Sequence, residues 1–568
     1  MRQIYGVASP ASYSTTPAPT YGYRQLEQEA TRAALATGQS VLELHLKIKC
    51  DGTRPICGQC QRVPKDDPCE FTDTMSRTQE LEHTVFRLQA RIDELQGTAG
   101  PSLFPPASQS APGSPFDGSS GSQDSPSTDN SFLGFQEPPF MVIQTLLQYF
   151  LPHAMQFGFF LDPGHFSDTA LLPLPFGDAR RPSPALLCTA YLWGVHLSQS
   201  QPLLAAEPVF LARAQQHLAT DLSASSLGPA LPPEAALDTI QAHVLLSAYM
   251  WRSARLIEAA VHANGAATLA LAHQLHKIRS SRPGALPLLG ARPGAGEVYP
   301  APPADALAEG TRIRAFWAVA ALQSALAHTA LAPAPAALCI LEAAEIDTPW
   351  PLEIVDYAGG QLPAGYAGHD SVRRFLADDD GARGPACMLH AQAAVLLYRA
   401  ARLAAGFSPN MPPAARAQYV TSQAWLDGRI AQFWGALPPI HSGSDARILA
   451  LAHALAAGAS LRLNLPDPQP QAQARCVAAA RAIVTALADP QLLHTDRAAA
   501  SPAAGALCTL ACRVLGEAAR ADLWGAQGPA AAELQSALAV LASYGGSPLV
   551  EYQLNKLRHE LAPMALTL

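Results

Sequence analysis

From about Phe140 to Leu568, apolar residues come in blocks of ten to twenty, separated by Pro- and Gly-rich breaks. Their spacing follows a helical period, and no stretch alternates as a half-buried strand would. Helical segments are expected at Leu146–Leu151, Pro184–Leu197, Ala236–Ala272, Arg312–Leu331, Ala386–Ala405, Ala446–Leu463, Ala474–Leu487 and Leu534–Ser543. The alanine, leucine, arginine and glutamine that fill them are strong helix formers. Prolines fall mostly between the blocks, where they punctuate rather than break helices. No repeat recurs at a fixed period, which disfavours a regular solenoid. The longest uncharged apolar stretch, Ala315–Leu341, is mostly alanine and contains Gln323, His328, Pro333 and Pro335. It suits a buried core helix better than the ~20 strongly apolar residues of a membrane span. Trp251, Phe316 and Trp317 sit in apolar helical runs and are expected in the core.

Upstream of Phe140 the pattern changes several times. Residues 1–39 are polar and turn-rich, then weakly helical. Residues 40–73 hold a cluster of cysteines. Within residues 76–96, Leu81, Val85, Leu88, Ile92 and Leu95 are spaced 4, 3, 4 and 3. That is the seam of a coiled coil, over about two heptads where three or four make the pattern secure. A single amphipathic helix packed on its own domain has the same spacing. Residues 97–137 are rich in Gly, Ser and Pro and contain no Lys or Arg. They bury too little to offset chain entropy and are expected to be a disordered linker. Its Ser114–Pro115 and Ser125–Pro126 pairs are compatible with phosphorylation and equally with plain loop composition.

Composition narrows the classes. The chain has 568 residues, 49% of them hydrophobic and 15% charged, against roughly 25% charged in ordinary globular chains. Wholesale disorder is excluded by that apolar content. A net charge of −8 argues against broad nucleic-acid coating. It leaves room for a small DNA-reading module. The N-terminus has no continuous apolar core of a signal peptide, so an intracellular protein with no membrane partner is expected.

Cysteine placement carries the most specific signal. Of ten cysteines, Cys50, Cys57, Cys60 and Cys69 fall within twenty residues. Cys188, Cys339, Cys387, Cys476, Cys508 and Cys512 are scattered in apolar surroundings, where a reduced buried thiol is the default. A C-x2-C pair, as at Cys57 and Cys60, puts two thiolates in reach of one tetrahedral metal, and zinc suits thiolates. Four unrelated surface cysteines are the alternative.

The run Lys47-Ile48-Lys49-Cys50-Asp51-Gly52-Thr53-Arg54-Pro55-Ile56-Cys57-Gly58-Gln59-Cys60, with Cys69, resembles the fungal binuclear zinc cluster transcription factors. The helical part is similar to the regulatory (middle homology) domain of that family. The similarity lies in Phe150–His153, Pro182–Leu187, Glu309–Ile313 with Phe316–Trp317, and Ile346–Pro351. The resemblance implies a mostly α protein: a small zinc-cluster remnant, a short coiled coil, a linker and a large all-helical regulatory domain over 138–568. It implies zinc held by Cys50, Cys57, Cys60 and Cys69, with Lys47 and Lys49 near DNA bases and phosphates. It further implies homodimerisation through the 81–95 seam, CGG-type target triplets, a nuclear location and regulation of RNA polymerase II genes, with no enzymatic activity.

Departures from the family pattern are specific. The first two cysteines of the motif would fall at Ser40 and Glu43, and residues 1–49 contain none. In the family the first and fourth cysteines bridge two zinc ions, so both sites suffer. Leu44 and Leu46 stand where the family carries basic residues. Between Ser40 and Arg77 the six bases Lys47, Lys49, Arg54, Arg62, Lys65 and Arg77 face six acids, Glu43, Asp51, Asp66, Asp67, Glu70 and Asp73. A neutral segment forgoes most counterion release, so weak DNA binding is expected. Either residues 1–46 come from a misassigned first exon, or the cluster is a degenerate one. In the degenerate case Cys57, Cys60 and Cys69 hold a single zinc with Cys50 or His45. A dimerising co-regulator that has lost direct DNA binding is the alternative function.

Other chemistry is sparse. Asp378–Asp379–Asp380 resembles an acidic magnesium motif, but Gly381 and Gly384 follow and an acidic loop is expected. No phosphate-binding loop, H-E-x-x-H or G-x-S-x-G is present. His262, His273 and His276 fall on one expected helix, Ala259–Lys277, and are read as satisfied core or surface histidines. The chain is expected to bind at most one zinc ion, to be checked by elemental analysis of purified protein. Two zinc ions per chain would contradict the degenerate cluster.

Overall fold

The computed structural model describes residues 136–227, 233–280, 302–329, 339–342, 345–360, 362–363, 366, 368–377, 383–440, 445–488, 500–521 and 529–561. Lys47, Lys49, Cys50, Cys57, Cys60, Cys69, the Leu81–Leu95 seam, the linker up to residue 135 and Asp378–Asp380 lie outside the described residues.

Among the described residues the regular structure is helical, with no strand. In chain order the helices are α1 (Phe140–Phe150), α2 (Pro163–Ala170), α3 (Pro184–Ser198), α4 (Gln201–Leu204), α5 (Glu207–Leu227), α6 (Pro233–Arg252) and α7 (Leu256–Ala272). They continue as α8 (Ala306–Thr329), α9 (Ile354–Ala358), α10 (Ser371–Ala377), α11 (Ala386–Ala405) and α12 (Pro413–Ala436). The last are α13 (Ala446–Asn464), α14 (Pro470–Leu487), α15 (Pro502–Ala521), α16 (Pro529–Ser543) and α17 (Pro548–Leu561). Short 3₁₀ turns cover Leu151–Phe157, Leu275–Lys277 and Ile340–Glu342.

Proline has a positional role here. α2, α3, α6, α12, α14, α15, α16 and α17 all begin on it. At the first helical position its missing N–H costs nothing and its φ is already helical. At α3 the preceding Ser183 adds a side-chain cap, accepting from the Leu186 amide at 3.3 Å.

Helices neighbouring in sequence tend to be neighbours in space: α1 on α3, α3 on α5 and α6, α6 on α7, α7 on α8. The path continues through α11, α13, α14, α15 and α16 to α17, which returns to α6. α3 is buried almost all round, from Ala185 through Val195, as a helix enclosed by others must be. Gly194 makes its contact with α1 feasible, since a Cβ there would sit 2.4 Å from the Leu146 carbonyl oxygen. α11 and α13 present alanines to each other's surroundings (Ala391, Ala394, Ala450, Ala454), and short side chains let helix axes approach closely. α13 is the described helix long and apolar enough to cross a membrane, and 67% of that window is buried inside the protein. The core expectations for Trp251, Phe316 and Trp317 hold, each at most 2% exposed.

The expected single segment Ala236–Ala272 is two helices. α6 ends at Arg252 because Ala254 takes a left-handed φ of 61°. Its amide and that of Arg255 bond back to the carbonyls of Trp251 (3.1 Å) and Met250 (2.8 Å). That is the Schellman ending, with alanine in the place usually held by glycine. No punctuation residue advertised it.

Arg252 closes the path of helices. It is 2% exposed. Nε donates to Nε2 of His196 at 2.8 Å, Nη1 to the Ala500 carbonyl at 3.3 Å and Nη2 to the Gly546 carbonyl at 2.9 Å. A guanidinium only donates, so Nε2 of His196 accepts and its proton sits on Nδ1, which donates to Glu207 Oε1 at 2.7 Å. Tyr249 donates to the same oxygen at 2.7 Å. Burial pulls Arg252 down to about 10, opposed by the Glu207 carboxylate. Replacing Arg252 by Ala is expected to cost ~3 kcal/mol, the price of breaking a buried charge network on one side. Urea unfolding followed by tryptophan fluorescence measures it. A loss below ~0.5 kcal/mol would mean apolar packing alone holds the closure.

Candidate functional site

Two of the helical-part motifs meet around Trp317 of α8. Its indole N–H donates to the Pro349 carbonyl at 2.7 Å, and its ring stacks on Trp350 at 4.1 Å. Gly310, about two turns earlier, lies under the Tyr357 ring, where a Cβ would come within 2.3 Å. Only glycine allows that seat. The extended segment around Pro349 is fixed by Asp347, which is wholly buried. Its carboxylate accepts from the Asp370 amide at 3.0 Å, from Lys277 Nζ at 3.2 Å and from the Ser280 hydroxyl. Its amide donates to the His276 carbonyl at 2.9 Å. Three irregular stretches, at 276–280, 345–351 and 368–371, are thereby held together with little regular secondary structure. Burial works to raise the Asp347 carboxyl, but hydrogen bonds from Ser280, Asp370 and Lys277 outweigh it and hold the group below its ordinary 3.8.

The same scaffold walls a partly open cavity of about 190 Å³. Its sides are α6, α8, α11, α13, the start of α15 with Ala500 and Ser501 just before it, and the segment Met155–Phe160. On α8 the facing positions are Arg314, Ala318, Ala321 and Ala325, a helical face whose small residues leave the space. The loop is fixed from below. Gly158 takes φ 82° against Val244, and the buried Gln241 accepts from the Phe160 amide at 2.7 Å while donating to the Gly158 carbonyl at 3.3 Å. Phe157 stacks on Trp193 at 3.8 Å.

The wall is apolar with a few polar groups. Arg314 is 6% exposed, and among the described residues its one hydrogen-bond contact is Nη2 to the Met155 sulfur at 3.6 Å. Burial lowers its affinity for the proton, with the Cys387 thiol, Glu353, Tyr357 and Asp162 opposing from beyond ion-pair distance. Arg447 lies across from it and approaches His153 Nδ1 at 3.4 Å. Burial brings His390 down to about 4, so it is neutral at pH 7, and it pushes the Cys387 thiol well up. An activated nucleophile needs the opposite shift. Cys387 is thus not an activated thiol, and His390 is present as the neutral imidazole.

The histidine expectations divide. His262 is a core histidine, its Nδ1 3.2 Å from Nδ1 of the buried His243. His273 and His276 do not share a helix face: α7 stops at Ala272, Gln274 turns left-handed at φ 56°, and His276 sits in the following 3₁₀ turn. The scattered cysteines are free, with Cys188, Cys476, Cys508 and Cys512 buried and Cys339 and Cys387 partly so. Sequence reading passed over Arg314 and Arg447. The signal for Arg314 was available: a cation between Ile313 and Ala315-Phe316-Trp317, on the helical face of Ala318, Ala321 and Ala325.

Asp347→Asn is expected to destabilise the helical part by ~3 kcal/mol, since Lys277 is left buried with only the half-exposed Glu345 at 3.0 Å. Because the folded carboxyl titrates below its ordinary value, its contribution is complete above that value and is lost as pH falls through the lowered one. The gap between wild type and variant should stay constant from roughly pH 5 to 8 and shrink below ~4. Urea midpoints across that range test it, and a gap that widens in acid would refute it.

No protein-family model, curated protein or solved structure matches the chain.

Proposed function

We propose that the chain is a zinc-dependent, sequence-specific DNA-binding regulator of RNA polymerase II transcription, with the helical part as its regulatory domain. The observation that carries this reading is the run Lys47–Cys60 together with Cys69. Cysteine pairs at that spacing suit a structural zinc site, and a short basic stretch beside it suits the major groove. Zinc would be held by Cys50, Cys57, Cys60 and Cys69. Lys47 and Lys49 would meet bases and phosphates, and Leu81, Val85, Leu88, Ile92 and Leu95 would pair two chains in the nucleus. The helical-part motifs Glu309–Ile313 and Ile346–Pro351 serve packing around Trp317 and Asp347, so that part of the resemblance bears on fold rather than on DNA.

A second reading is favoured by Ser40 and Glu43 in place of cysteines and by the neutral charge of residues 40–77. In it the chain is a dimerising co-regulator without direct DNA contact. A mobility-shift assay of the full chain on duplex DNA with paired CGG triplets separates the two. The first reading expects a salt-sensitive specific complex that is lost on chelation and in Cys57→Ala. Binding only in the presence of a second zinc-cluster protein would establish the co-regulator instead.

A further inference from the structure

Arg314 is a buried cation facing open space. Its guanidinium has five N–H donors, and the described residues supply it with one sulfur contact. Glu353 and Asp162 are felt only at a distance. Arg447, the other cation of the cavity, has partners besides His153. Among the described residues Arg314 has no ion-pair partner, and it sits in a largely apolar wall. Such a site is complementary to a single negative charge carried on an apolar body. A planar guanidinium fork matches a carboxylate bidentately. The alanine, phenylalanine and tryptophan that make up much of this wall favour an apolar body behind that one charge.

Size limits the body. A cavity of about 150 Å³ accommodates benzene, and this one measures about 190 Å³. It takes a single ring or a short alkyl chain in addition to the acid group. We infer that the cavity binds a small apolar monocarboxylate, its carboxylate seated on Arg314 and its body against Phe159, Trp251 and Trp317. His390 is then the neutral hydrogen-bonding neighbour of the ligand. The ligand would bridge α8, α11, α13 and the Met155–Phe160 loop, which is how its presence would be sensed by the rest of the helical part. The inference stands apart from the DNA-binding reading, since nothing in it involves residues 1–135.

The test uses the purified full chain with benzoate, phenylacetate, 3-phenylpropionate and hexanoate as probes, by calorimetry and thermal unfolding. 3-Phenylpropanol supplies the body without the charge, and acetate the charge without the body. At least one of the larger acids should bind saturably and raise the melting temperature, with the alcohol and acetate weaker by roughly tenfold or more. Arg314→Met should weaken the acid by about tenfold while leaving the ligand-free melting temperature unchanged or higher, because it removes an unbalanced buried charge. Arg314→Lys should fall between. The inference is overturned if none of the acids binds, if the alcohol binds as well as its acid, or if Arg314→Met keeps the affinity. It is equally overturned if Arg314→Met melts lower or does not fold, since the charge would then be structurally balanced. None of these outcomes bears on DNA binding.

Discussion

The helical part depends on one buried cation. Arg252 ends α6 and ties it to His196 and Glu207 on one side and to the carbonyls of Ala500 and Gly546 on the other. The Ser547 hydroxyl completes the exchange by donating to the Arg252 carbonyl at 3.0 Å. The partners stand 248 and 294 residues downstream. Such contacts repay their loop-closure entropy only after nearly all of the chain is available. Local helix pairs form early by comparison, and the closure follows when α17 reaches α6. Until then Arg252 faces an unfinished site, which favours late and cooperative completion.

Composition and cavity have a common origin. Alanine brings α11 and α13 close to their neighbours, and the same residue on α8 fails to fill the space opposite them. Low charge follows, since most helix faces are inside. The few charges that are inside are held at great care: Asp347 by three donors, Arg252 by three acceptors. Arg314 differs, and the contrast with Arg252 in the same core is what draws attention to its cavity.

Much of the helical fold was legible. α11 begins and ends where its alanine-rich block does, at Ala386 and Ala405, and α3 and α13 differ from expectation by one residue at one end. Where N-termini were placed late, as at Leu534 against Pro529 and Ala474 against Pro470, the reading began at the first apolar run and ignored proline's preference for the first turn. α12 lies within the stretch read as helical but is not among the segments singled out, since its inward face includes Gln423 and Arg429, the latter donating to the Phe375 carbonyl at 2.7 Å. The break after α6 rests on an alanine in a conformation that sequence gives no reason to expect. The cavity was legible only in hindsight, because a lone arginine in an apolar helix looks the same whether it snorkels or faces a void.

The buried thiols have an analytical consequence. Burial raises Cys188 to about 12 and Cys339 and Cys476 to about 11, and it raises Cys387 further. Cys508 is raised by its hydrogen bond with Cys512 and then by burial. A thiol so protonated is a poor nucleophile toward alkylating reagents and a poor ligand for stray metal. Brief thiol labelling of the native protein at neutral pH should therefore spare Cys188, Cys339, Cys387, Cys476 and Cys508.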